Sequence, residues 1–172
     1  AWGTFEWILT DGFPLGRRVG VVCNSDGHKG RPGASYPGAS TFGSLGGLTC
    51  FLTDQNDRAS IMEAQRRRHH YGTTGCRMFM DVSAKLPTAG RICTRNPAVV
   101  PDTPRLNADH IIMGDIVETS AKTADISLSV KAHAGIEKIE LHNGSEVLET
   151  FRTYNDAALG KRYRVIWSGA EY

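Results

Sequence analysis

No Cys-x-x-Cys pair occurs in this chain; its four cysteines, Cys23, Cys50, Cys76 and Cys93, stand far apart. That excludes zinc-ribbon and thioredoxin-like motifs, which need cysteines at short spacing. No apolar run approaches the roughly 18 residues that a membrane-crossing helix requires, so no membrane partner is expected. The start, Ala1-Trp2-Gly3, shows neither the basic stretch nor the apolar stretch of a secretory signal. A dominant sign of charge is also lacking: 20 Lys and Arg against 18 Asp and Glu leave a net +2, with the signs interspersed. A dedicated nucleic-acid binder gathers its basic residues on one face, so no nucleic-acid partner is expected either.

The chain does have enough apolar material for a core: 40% of its 172 residues are hydrophobic, which suits one large domain or two small ones. Of its 19 glycines, 11 fall within the first fifty residues, and this puts the unusual backbone in the N-terminal part. Cys23 and Cys50 sit in apolar surroundings and read as small buried hydrophobes, with disulfides as the alternative.

Several elements can be placed. Residues 4–11 suit a short helix capped by Thr4 and ended by Gly12 and Pro14. Val19-Gly20-Val21-Val22-Cys23 is a continuous apolar run, as in a strand covered on both faces of a parallel α/β sheet. Residues 27–47 are rich in Gly, Pro and Ser without periodicity and read as a long ordered loop. Residues 48–52 suit a short strand. A helix is expected from Asp57, its N-cap, to about His70, with Gly72 as the stop and the Tyr71–Gly75 stretch as the turn into the next strand. Alternation of Met78, Met80 and Val82 predicts a strand over 76–84. The four prolines between Pro87 and Pro104 mark a connector, and a boundary is placed near residue 105.

Beyond it the pattern becomes one of half-buried strands. Ile126, Leu128 and Val130 alternate with polar residues, as do Ile139 and Leu141, and later Tyr163, Val165 and Trp167. Asn143-Gly144 is a strong hairpin signal and is expected to be the tip of a two-residue turn.

Chemistry concentrates at Asn24-Ser25-Asp26-Gly27-His28. Asp26 and His28 are two positions apart, so an extended backbone points them to the same side. A carboxylate and an imidazole at a strand end suit Zn²⁺, Mn²⁺ or Fe²⁺, which accept mixed oxygen and nitrogen ligands. The spacing alone equally fits a turn in which Asp26 caps an amide and His28 faces solvent. Lys29 and Arg31 follow in the glycine-rich loop. They read either as contacts to an anionic substrate or as a solvated basic loop. Arg66, Arg67 and Arg68 are accounted for by the dipole of a helix C-terminus. Adjacent His69 and His70 diverge by about 100° on a helix, so one facing in and one facing out is expected rather than chelation. Trp2, Trp7 and Trp167 read as core or edge aromatics, and Asp115 as a turn residue.

The longer string Asn24-Ser25-Asp26-Gly27-His28-Lys29-Gly30-Arg31-Pro32-Gly33-Ala34-Ser35-Tyr36-Pro37-Gly38-Ala39-Ser40 is followed by Gly46-Gly47-Leu48-Thr49 and by the Arg66–Gly75 stretch. Together these resemble the C-terminal portion of a bacterial family of unknown function related to the PHP (polymerase and histidinol phosphatase) metal-dependent phosphoesterases. The resemblance covers roughly residues 5–82 and continues more weakly through Met113-Gly114-Asp115. It implies a distorted TIM-like barrel with metals at the strand ends, Asp26 and His28 being ligands of the last metal motif. It also implies an early His-x-His motif, which is missing here. All histidines but His28 lie at or beyond residue 69. The chain therefore reads as a fragment holding an incomplete metal site, inactive by itself, and no general base can be named.

The resulting expectation is an α+β chain: residues 1–105 as the remnant of a PHP-like α/β barrel, and 106–172 as an antiparallel β-sandwich-like region, itself incomplete. Its function would be that of a divalent-metal phosphoesterase acting on a small anionic or phosphorylated substrate. The alternative is a non-catalytic β-rich interaction module with a vestigial motif. Open strand edges would favour a homodimer.

Overall fold

A computed structural model describes residues 18–25 and 46–155. The expected N-terminal helix, most of the glycine-rich loop with Asp26, His28, Lys29 and Arg31, the 163–167 strand and all three tryptophans lie outside the described residues. The chain forms two compact units, Ala1–His133 and Ala134–Tyr172.

In the first unit, β1 (Leu48–Phe51) pairs antiparallel with β2 (His70–Thr73), in the register Thr49 to Gly72 and Phe51 to His70. Between them runs α1 (Arg58–Arg66), the one helix among the described residues. Asp57 starts it as its composition suggests: the backbone is extended there, and the carboxylate accepts the Ser60 amide at 2.9 Å. The helix ends at Arg66, four residues before its expected end. Arg68 takes a left-handed conformation (φ 62°), and the amides of Arg68 and His69 turn back onto Gln65 O and Ala64 O. This is the Schellman arrangement, which glycine ordinarily completes. With an arginine at that position, the sequence carries no stop signal there.

The long β3 (Phe79–Cys93) is the centre of the main sheet. On one side it pairs with β4 (Arg105–Ile112). On the other it pairs, at its two ends, with β5 (Ile116–Glu118) and β6 (Asp125–Lys131). Its register with β4 slips between Lys85 and Gly90, around Pro87, where a proline's missing N–H can be tolerated. Leu86, Ile92, Cys93, Ile116, Tyr71 and Ala64 are buried and form the core. Tyr71 ties the two sheets together: its hydroxyl donates to Met78 O at 2.7 Å and accepts from Met80 N at 3.0 Å. Arg95 grips Glu63 through both guanidinium nitrogens, at 2.8 and 2.7 Å, and docks α1.

In the second unit, β7 (Ile139–Asn143) and β8 (Glu146–Phe151) form the expected hairpin. Its tip is Gly144-Ser145 rather than Asn143-Gly144, because Asn143 already pairs with Glu146. Gly144 has φ 61°, which places the glycine at the first central position, as a type II′ turn requires.

The expected α/β barrel remnant is overturned. Every strand pair among the described residues is antiparallel, the strands form no barrel, and strand dominates over helix. β4, β5 and β6 join β3 in one sheet, across the boundary expected near residue 105. The buried strand over Val19–Cys23 fails for a visible reason. That segment makes no strand ladder, and Val19 and Val22 remain 50% and 53% exposed. β2 carries little strand signal in the sequence, because His70-Tyr71-Gly72-Thr73 mixes polar and aromatic residues with a glycine and reads as a turn.

Candidate functional site

Thr49, Gly72, Phe51 and His70 share one face of the β1–β2 pair, since they are cross-strand partners at alternate positions. The segment 18–25 lies across this face. Thr49 Oγ1 accepts the Cys23 amide at 2.9 Å and donates to Cys23 O at 2.7 Å, so one hydroxyl satisfies both backbone groups. His70 Nδ1 donates to Val21 O at 3.1 Å, and its ring meets Phe51 edge to face at 5.5 Å. Gly72 leaves room for the crossing; a Cβ there would stand 2.1 Å from Cys23 Sγ. A Cβ at Gly47 would stand 2.9 Å from Asn24 O, so the two stems of the glycine-rich loop touch. The string that leads into Asp26 and His28 is thus anchored at its base, although these two residues, Lys29 and Arg31 are themselves outside the described residues.

Beside this stem is an open cavity of about 550 Å³, walled by residues 18–21 and Cys23, by Arg68 and His70–Gly72, and by residues 113–116. With Nδ1 committed to Val21 O, His70 places Nε2 beside Gly20; a Cβ at Gly20 would stand 2.7 Å from that atom. Arg68 reaches in from its strained backbone position. Its Nε donates to Gly114 O at 3.0 Å and its Nη1 to Arg66 O at 3.1 Å, which leaves Nη2 without a protein partner among the described residues. Burial is the largest influence on this guanidinium and lowers its pKa, while Asp115 acts the other way.

Asp115 proves to be more than a turn residue. Its Oδ1 accepts from His69 Nε2 at 2.9 Å and from Arg67 Nη2 at 3.3 Å, and its Oδ2 accepts the Ile112 amide at 3.0 Å. The side chain is 6% exposed. Burial pushes its pKa up, but the His69 bond, the Ile112 amide and the charges of His69 and Arg67 outweigh this and hold it below 3.8. His69 and His70 are not the inward and outward pair expected on a helix: both lie past its end at Arg66 and both are buried, turned to Asp115 and Val21 respectively. The contacts of Arg67 and Arg68 also go beyond an interaction with the helix dipole. No signal in the sequence links this run to a carboxylate 46 or more positions away.

Among the described residues, no three His, Cys, Asp or Glu side chains come together as a metal site. The described part therefore does not form a metal centre by itself.

The described class is thus a β-rich protein of antiparallel sheets, with a pinned loop stem and an adjoining cavity. A family model described as "Protein of unknown function (DUF3604)" matches residues 18–168, and the chain belongs to that family. No curated protein and no solved structure matches it.

Proposed function

We propose that the chain contributes to a divalent-metal-dependent hydrolase site for a small phosphorylated or otherwise anionic substrate, with Asp26 and His28 as metal ligands. Lys29, Arg31 and Arg68 would meet the anion. The likeness of the Asn24–Ser40 string to the PHP phosphoesterases suggests the ligands. The observation that carries the anionic reading is the cavity beside the loop stem, where Arg68 Nη2 has no protein partner among the described residues. A planar guanidinium suits a phosphate oxygen pair. A bound divalent ion would supply a nucleophilic water at neutral pH. Catalytic metals typically use about three protein ligands. Asp26 and His28 are two, so the reading requires at least one more donor.

Inorganic phosphate tests the anion half of this reading. At a hundredfold excess over its Kd, it should stabilise the chain by about 2.7 kcal/mol, visible as a higher Tm. Arg68→Gly relieves the left-handed strain while removing the guanidinium, so the variant should fold with nearly unchanged stability yet lose most of this increment. An equal phosphate response in both proteins would refute the role of Arg68.

A second reading, a non-catalytic interaction module, is favoured by exposed apolar side chains. Ile126 and Leu128, on one side of β6, are 50% and 40% exposed, and Val147, Leu148 and Phe151 of β8 are also exposed. Exposed apolar patches larger than a few hundred Å² are uncommon on soluble monomers, and this reading has two copies covering them. Light scattering at micromolar concentration should then give twice the single-chain mass; 18.8 kDa would rule out the dimer.

A further inference from the structure

We infer that Cys76 is a reactive thiol site, with His133 as its proton acceptor, that reduces apolar hydroperoxides entering the cavity beside it. Cys76 lies between β2 and β3, half-buried, and its Sγ stands 3.3 Å from Nδ1 of the exposed His133, just past β6. Neither side chain has another partner among the described residues, so the pair is not part of a larger structural network. All four cysteines are free, and their settings differ. Cys93 is 1% exposed, Cys23 is pressed over Gly72, and Cys50 lies near Tyr71, whose hydroxyl is committed to Met78 O and Met80 N. Cys76 is the one cysteine paired with an imidazole among the described residues. A nucleophile within hydrogen-bond reach of a base is the arrangement that thiol chemistry needs.

The neighbouring cavity indicates what would reach the sulfur. It measures about 450 Å³, and Leu48, Met78, Phe79 and Tyr71 line it together with Cys50 and Cys76. An apolar wall of this kind admits an alkyl or aryl hydroperoxide more readily than hydrogen peroxide. Arg77 also lines the cavity. In the step itself, the Cys76 sulfur attacks the outer peroxide oxygen. The S–O bond forms as the O–O bond breaks. The thiol proton passes to His133 and then to the departing alkoxide, which leaves as an alcohol. Sulfur is oxidised by two electrons to the sulfenic acid, and the hydroperoxide is reduced by two.

The test uses the full chain with cumene hydroperoxide, dimedone to trap sulfenic acid, and peptide mass spectrometry to follow each cysteine. Cys76 should be trapped at least about tenfold faster than Cys50, and His133→Ala should slow Cys76 by about tenfold or more, as loss of a general base does. His133→Gln, which keeps a polar side chain, should be slowed equally, with unchanged circular dichroism for both variants. Equal trapping of Cys76 and Cys50, or an unchanged Cys76 rate in both variants, would overturn the site. Hydrogen peroxide reacting as fast as cumene hydroperoxide would overturn the role of the cavity.

Discussion

Gly114→Ala should be among the most destabilising single substitutions in the N-terminal unit. Gly114 has φ 90°, a conformation that side chains rarely adopt, and a Cβ there would stand 2.1 Å from Arg68 O. The obstacle is backbone at the helix exit, held by the Schellman bonds of Arg68 and His69, so it cannot rotate away. Left-handed strain costs about 1–2 kcal/mol, and overpacking against fixed neighbours costs about 1–3 kcal/mol. Together these give a loss of about 2–5 kcal/mol, a large share of the 5–15 kcal/mol that ordinarily holds a domain together. Gly135→Ala is the control, since a Cβ there meets nothing within 4 Å. Urea denaturation should show a much lower midpoint for Gly114→Ala and nearly the wild-type midpoint for Gly135→Ala. Equal midpoints for the two variants would show that the turn does not pack on the helix exit.

Asp115→Ala should cost about 3–5 kcal/mol, the range for removing one partner of a buried charge pair. The loss would leave His69 Nε2, Arg67 Nη2 and the Ile112 amide without their acceptor. Asp115 also predicts a pH dependence. Its carboxyl is held below 3.8 in the folded chain, so the unfolded chain binds the proton more readily. The stabilisation is therefore present above the ordinary carboxylate pKa and is lost as pH falls through the lowered folded value. Glu63, Glu118 and Asp57 are shifted in the same direction and add to acid sensitivity. The contribution of Asp115 is consequently the difference between wild type and Asp115→Asn, which keeps one acceptor oxygen but cannot ionise. That difference should be clear at pH 7 and should shrink towards pH 3. A gap independent of pH would show that the ionised carboxylate is not what stabilises the turn.

Local signals were legible where a residue acts on its near neighbours. Asp57 announces its helix because an N-cap bonds the amide three residues on, and Asn143-Gly144 announces its hairpin to within one position. The alternation of Ile126, Leu128 and Val130 announces β6 in the same way. The signals failed where tertiary contacts decide. The apolar run Val19–Cys23 looks like a buried parallel strand, yet the Thr49 hydroxyl and the His70 ring hold it, and neither bond is visible in a hydrophobic pattern. The helix ends earlier than its sequence suggests because the left-handed exit falls on Arg68, where no glycine marks it. The barrel expectation came from the resemblance rather than from periodicity, and antiparallel pairing around β3 replaces it. At the candidate site, Asp26 and His28 are legible in the sequence alone. The Arg67–His69–Asp115 network and the Arg68–His70 cavity became apparent only in the structure, since their members are remote in sequence.

Metal binding tests the proposed function most directly. The full chain, stripped with a chelator and titrated with Zn²⁺ or Mn²⁺, should bind a divalent ion with an affinity that both Asp26→Ala and His28→Ala lower by about tenfold or more, since each removes one direct ligand of a small set. Circular dichroism should be unchanged in both variants. Binding of equal strength in wild type, Asp26→Ala and His28→Ala, or no binding in any of them, would contradict the assignment of these two residues as ligands.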